Sequence, residues 1–184
     1  MFCVELSAPQ MYPSFSADFA SWLLGKSVTL TEIQPSELSL DPIRADAMIL
    51  VQSEESILHI EFQTLPKKKI PFRMADDRLR GYRCYEDKPM RQVVIYLKST
   101  TSKLVYQTSF TLENTRRNFE VIQLWEQPAS LLLQYPGLLL FAALGQCNSP
   151  AEMLRQATQL VDQIEDLTTQ ANLRQPQRFW LGFD

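Results

Sequence analysis

The chain has 184 residues, 45% of them apolar and 21% charged, which is the size and composition of one folded domain and excludes a wholly disordered chain. Its net charge of −3 argues against a generally basic nucleic-acid binder, but the charge is uneven. Residues 67 to 91 hold nine basic and four acidic side chains, +5, whereas the rest holds nine basic and seventeen acidic, −8. A local basic strip suits phosphate binding on one face, and a solvated helix carries similar charges.

Ser16 is placed to cap a helix over Ala17 to Leu24, with Phe19, Trp22 and Leu23 on one face and Gly25 as terminator. Ser27 to Ile33 alternates as a strand and ends before Pro35. Asp46 to Gln52 and Ile57 to Thr64 read as a hairpin closed over Ser53 to Ser56. After Pro66 and three lysines, Pro71 opens a helix to about Tyr85, in which Phe72, Ala75, Leu79 and Tyr82 form the expected buried stripe with the charges opposite.

Gln92 to Lys98 is nearly all apolar at its centre, as a strand covered on both faces is, and the segment 57 to 98 predicts a right-handed parallel crossover. Strands near Leu104 to Leu112 and Phe119 to Trp125 are expected to extend the sheet as a meander. Beyond Pro128 the chain reads as helical. Leu131 to Leu144 is interrupted by Gln134, Pro136 and Gly137, and no apolar run reaches the roughly 18 residues that cross a bilayer. Ser149-Pro150-Ala151-Glu152 forms a capping box for a helix expected to bury Leu154, Ala157, Val161 and Ile164. Residues 168 to 184 turn polar and then aromatic, and are expected to be a poorly ordered tail.

The opening segment MFCVELSAPQ carries Glu5 and no basic cluster, so no signal or transit peptide is expected and the chain is placed in the cytoplasm, away from membranes. Cys3, Cys84 and Cys147 are widely spaced and read as reduced thiols. The single histidine, His59, excludes sites built on two imidazoles, so metal chemistry would have to use oxygen. Gly25-Lys26-Ser27 imitates the end of a P-loop but is followed by a strand, and nothing in the sequence brings Cys84 to His59.

Alternation sets Leu58, Ile60 and Phe62 on one face of the 57–64 strand and His59, Glu61 and Gln63 on the other. His59 reads as a surface residue or a support to neighbouring ligands. The hairpin pairs Asp46 with Gln63 and Met48 with Glu61, making Asp46 and Glu61 diagonal neighbours with Cβ atoms about 7 to 8 Å apart. Two such carboxylates can share one hard cation. The alternative is an edge hairpin whose polar face is simply solvated.

The segments RADAMILV, LHIEFQT, IPFRMADDRLRGYR and QVVIYLK resemble those of the PD-(D/E)XK nuclease superfamily, and more closely the Rpn family of recombination-promoting nucleases, also described as transposases, in its cyanobacterial form. The resemblance covers roughly Ala17 to Trp125. It implies an α/β fold with a restriction-endonuclease-like mixed sheet (an αβββαβ core), extra strands and a helical C-terminal appendage. The nuclease-like domain would span 12–125 and the appendage 126–167. It further implies a metal-dependent endonuclease acting on DNA, in which Asp46 and Glu61 hold Mg2+ or Mn2+ and Gln63 occupies the usual lysine position. Lys67, Lys68, Lys69, Arg73 and Arg80 are then the candidate DNA contacts, and homo-oligomerisation is left open.

The departures are specific. Gln63 lacks the lysine's charge, Asp77 stands where relatives often carry an aromatic residue, and the further acid of the superfamily site would have to be Asp18 or Glu32. The rival expectation is a catalytically degenerate copy that binds nucleic acid or protein.

Overall fold

The computed structural model describes residues 13–27, 31–32, 48–53 and 56–173. Asp46 and the segment 174–184 lie outside the described residues, as does most of the strand expected over Ser27 to Ile33. The architecture is mixed α/β.

Helix α1 (Pro13–Leu24) starts earlier than expected, because proline has no N–H to lose at a helix start. Ser16 is therefore inside the first turns instead of capping them, with its hydroxyl buried and unpartnered among the described residues. Gly25 ends the helix as expected: its φ of 68° suits glycine, and its N–H bonds the Ser21 carbonyl at 2.9 Å.

Strand β1 (Thr31–Glu32) pairs antiparallel with β2 (Met48–Gln52), which pairs antiparallel with β3 (Ile57–Gln63). The register is the expected one, with Met48 opposite Glu61 and Gln52 opposite Ile57. Helix α2 (Ile70–Cys84) then crosses to β4 (Met90–Tyr96), which lies parallel to β3.

The expected meander does not form. Lys103–Tyr106 is a 3-10 turn capped by the Ser102 hydroxyl, and β5 (Ser109–Leu112) with β6 (Thr115–Asn118) makes a separate hairpin. Strand β7 (Glu120–Gln123) joins β4 in parallel and completes the sheet order β1-β2-β3-β4-β7. A parallel neighbour requires the chain to return to the starting end of the sheet, and the turn and hairpin make that return.

One face of the sheet presents Leu58, Ile60, Phe62, Val93 and Ile95 to α1, to α3 (Ala129–Leu132) and to the 3-10 helix Pro136–Leu144. Phe19 meets Phe62 and Phe141 edge-on at centroid distances of 5.0 and 5.1 Å. On this side Asp18 accepts the Gly137 N–H at 2.6 Å, which commits it to an anchoring bond away from Glu61.

Helix α2 covers the opposite face and is rotated relative to expectation. Ile70, Met74, Asp77 and Gly81 turn to the sheet, while Phe72, Leu79 and Tyr82 are 58%, 60% and 48% exposed. The strand face beneath explains the rotation. His59, Glu61 and Gln63 are buried polar groups that need polar partners, and only the stripe containing Arg73 and Asp77 can provide them.

Helix α4 (Pro150–Asp162) is capped as expected by the Ser149 hydroxyl, which accepts the Glu152 N–H at 3.3 Å. It buries Ala157 and Val161 against Leu139, with Ile164 partly covered. Leu154, expected in the core, is exposed because this contact is only a narrow stripe. A further helix, α5 (Leu167–Leu173), follows and packs Leu173 on the same cluster. No helix among the described residues is long and apolar enough to cross a membrane.

Candidate functional site

Strand β3 carries His59, Glu61 and Gln63 on alternate positions beneath α2, and all three are essentially inaccessible. Of the two readings of His59, a surface residue or a support to neighbouring ligands, burial rules out the first, because α2 lies over the face that the hairpin alone would leave to solvent. A buried carboxylate needs compensation, and Glu61 receives it at Oε1: Gln63 Nε2 donates a hydrogen bond of 2.9 Å, and Arg73 Nη1, from the first turn of α2, forms an ion pair with the same oxygen. Arg73 thereby brings a fixed positive charge beside Gln63.

Glu61 Oε2 faces the other way, 3.9 Å from His59 Nε2. Asp77 Oδ2, one turn along α2 from Arg73, is 3.8 Å from the same nitrogen. One donor atom from each of His59, Glu61 and Asp77 lies within 4.8 Å of the others, and all three residues are buried. Among the described residues, His59 Nε2, Asp77 Oδ2 and Gln63 Oε1 have no hydrogen-bond partner, although such atoms in a protein interior normally do. Glu61 and Asp77 each bring a hard carboxylate oxygen within 4.8 Å of the other, the kind of donor that a hard divalent cation takes.

Burial dominates the titration of the cluster. It drives the His59 imidazole down to about 4, helped by the Arg73 charge, so the ring is neutral at pH 7. It pushes the Asp77 carboxyl up to about 6 against the opposing pull of Arg80. Tyr96, paired in register with Gln63, has its hydroxyl raised by burial and then by the Glu61 charge. The side of His59 away from the carboxylates is bonded: Nδ1 is 3.1 Å from Gln92 Nε2, which also donates to the Met74 carbonyl at 2.7 Å.

Of the residues expected at the site, the fold brings Glu61, Gln63 and Arg73 together. Asp46 lies outside the described residues. Lys67, Lys68 and Lys69 are exposed in the turn that leads into α2. Arg73, expected on phosphate, is turned inward to Glu61, and Arg80 pairs with Asp76 at 2.8 Å. Asp18 is bonded to Gly137 away from this cluster and Glu32 pairs with Val51 on β1, whereas the acid that stands beside Glu61 and His59 is Asp77. Its signal in the sequence is the stripe 70, 74, 77, 81, which runs at the same helical spacing as the apolar stripe.

Comparison with protein-family models, with curated proteins and with solved structures gives no match for this chain.

Proposed function

We propose that the protein is a metal-dependent endonuclease that hydrolyses DNA phosphodiester bonds, in the manner implied by its resemblance to the recombination-promoting nucleases. The observation that carries this reading is the buried Glu61, held at Oε1 by Gln63 and Arg73, with a carboxylate oxygen of the buried Asp77 within 4.8 Å of one of its own. Glu61 and Asp77 would hold Mg2+ or Mn2+, with Asp46 as the further ligand that the resemblance implies. Such an ion acidifies a water and offsets charge on a phosphoryl group. Gln63 Oε1 is the acceptor that orients the attacking group, and Arg73 supplies the positive charge that glutamine lacks at the lysine position.

The same ion pair also favours a second reading. Arg73 neutralises Glu61 without a metal, as suits a copy that keeps the fold and only binds nucleic acid or protein. Cleavage separates the two. Plasmid DNA should be nicked with Mg2+ or Mn2+ and left intact in EDTA, and Asp46→Ala and Glu61→Ala should each abolish nicking while retaining a folded circular-dichroism spectrum. Identical trace cleavage by wild type and both variants would reject the enzymatic reading.

DNA is held by Lys67, Lys68 and Lys69 at the rim. Changing all three to Ala should weaken binding to every duplex sequence alike and lower the salt slope by about 0.9 for every phosphate that is no longer neutralised. Fluorescence anisotropy titrations over a salt series read that slope. An unchanged slope would make these lysines ordinary solvated turn residues.

A further inference from the structure

The proton on the His59 ring can be placed from its surroundings. Gln92 Oε1 accepts from Arg117 Nε at 3.3 Å, and Gln92 Nε2 donates to the Met74 carbonyl at 2.7 Å. Turning the amide over would set oxygen against the Met74 carbonyl and NH2 against the Arg117 guanidinium, so its orientation is fixed. The second hydrogen of Nε2 then points at His59 Nδ1, 3.1 Å away. An N–H aimed at Nδ1 requires a lone pair there, and the one proton of a neutral imidazole must sit on Nε2.

We propose that Gln92, held by Met74 and Arg117, locks His59 as an Nε2–H donor facing the Glu61 and Asp77 carboxylates, and that this lock bars the imidazole from ligating a metal and reserves the cluster for cations bound through oxygen. Ligation through Nε2 needs its lone pair, which moves the proton to Nδ1 and into the Gln92 N–H. Zinc and cobalt draw much of their affinity from imidazole, whereas magnesium and manganese are served by carboxylates. Gln92 is thus a selectivity-determining residue and His59 a positioning residue. The consequence for catalysis rests on the reading of Glu61 as the metal-holding carboxylate; the lock itself does not.

His59 is the only histidine in the chain, so a long-range 1H–15N correlation spectrum of the full-length protein reports it without assignment. In protein stripped of metal and then freed of chelator, the expected pattern is a protonated Nε2 and a bare Nδ1, unchanged by one equivalent of Zn2+. In Gln92→Met, similar in length but without an N–H, one equivalent of Zn2+ should move the proton to Nδ1 and shift Nε2 to a metal-bound position. A wild-type ring protonated on Nδ1, or one that loses its Nε2 proton to stoichiometric Zn2+, overturns the proposal. A folded Gln92→Met that leaves Zn2+ unligated removes Gln92 as the lock, and if that variant does not fold, the wild-type spectra alone decide. The expected spectra in a protein that cleaves no DNA support the lock and count only against the nuclease reading.

Discussion

Arg73→Met is expected to destabilise the protein by about 3 to 5 kcal/mol in metal-free buffer, the largest single-residue effect in the site. The side chain of Glu61 is 1% exposed, and the variant leaves its carboxylate buried with only the neutral Gln63 amide among these two compensating groups. Most of the cost is the desolvation of a buried carboxylate that Arg73 no longer offsets, not the broken pair itself. The double variant Arg73→Met with Glu61→Gln should therefore recover most of it, because both charges leave together. Urea unfolding midpoints at constant m-value measure the cycle. Excess Mg2+ should restore part of the loss in the single variant and none in the double, since a cation at Glu61 binds the folded state alone. A cost below about 1 kcal/mol for Arg73→Met would mean that this ion pair does not hold Glu61 in place.

The second large effect concerns pH. The Asp77 carboxyl titrates at about 6 when folded against 3.8 ordinarily, so between those values the folded state binds more protons. Its contribution is favourable at low pH and is lost as pH rises through 6, at a cost of about 3 kcal/mol. His59 runs the other way: with a folded value of about 4 against 6.5, the unfolded chain takes up the proton first, and about 3 kcal/mol is lost as pH falls through that window. The two nearly cancel between pH 4 and 6 in the wild type. Asp77→Asn removes one of them. Its stability relative to wild type should climb by about 2 to 3 kcal/mol between pH 4 and 7, measured by urea unfolding in EDTA. A flat difference would show that Asp77 is not buried as a titrating group.

The parts of this fold that are legible in the sequence are those fixed by local rules. Alternation of apolar and polar residues sets the register that puts Met48 opposite Glu61, Gly25 closes its helix, and Ser149 caps the last long one. What cannot be read locally depends on the partner surface. Phe72, Leu79 and Tyr82 form as good a stripe as Ile70, Met74 and Asp77, and only the buried polar face of β3 chooses between them. The candidate site inherits that ambiguity. Glu61 and Gln63 are readable from a strand, whereas the inward turn of Arg73 and the arrival of Asp77 follow from a helix rotation that periodicity leaves open. The pairing of β7 with β4 escapes the sequence for a related reason: strand order depends on how the chain returns, and no local signal announces that β5 and β6 pair only with each other.

The central claim is that Glu61 holds the divalent cation on which DNA cleavage depends. Electron paramagnetic resonance of Mn2+ titrated into the full chain tests it most directly, comparing wild type with Glu61→Gln, which keeps the size and hydrogen-bonding shape of the side chain. The account predicts saturable Mn2+ uptake by wild type that Mg2+ displaces, and loss of that uptake in Glu61→Gln with the fold intact. Equal Mn2+ uptake by both proteins, or none by wild type, would contradict it.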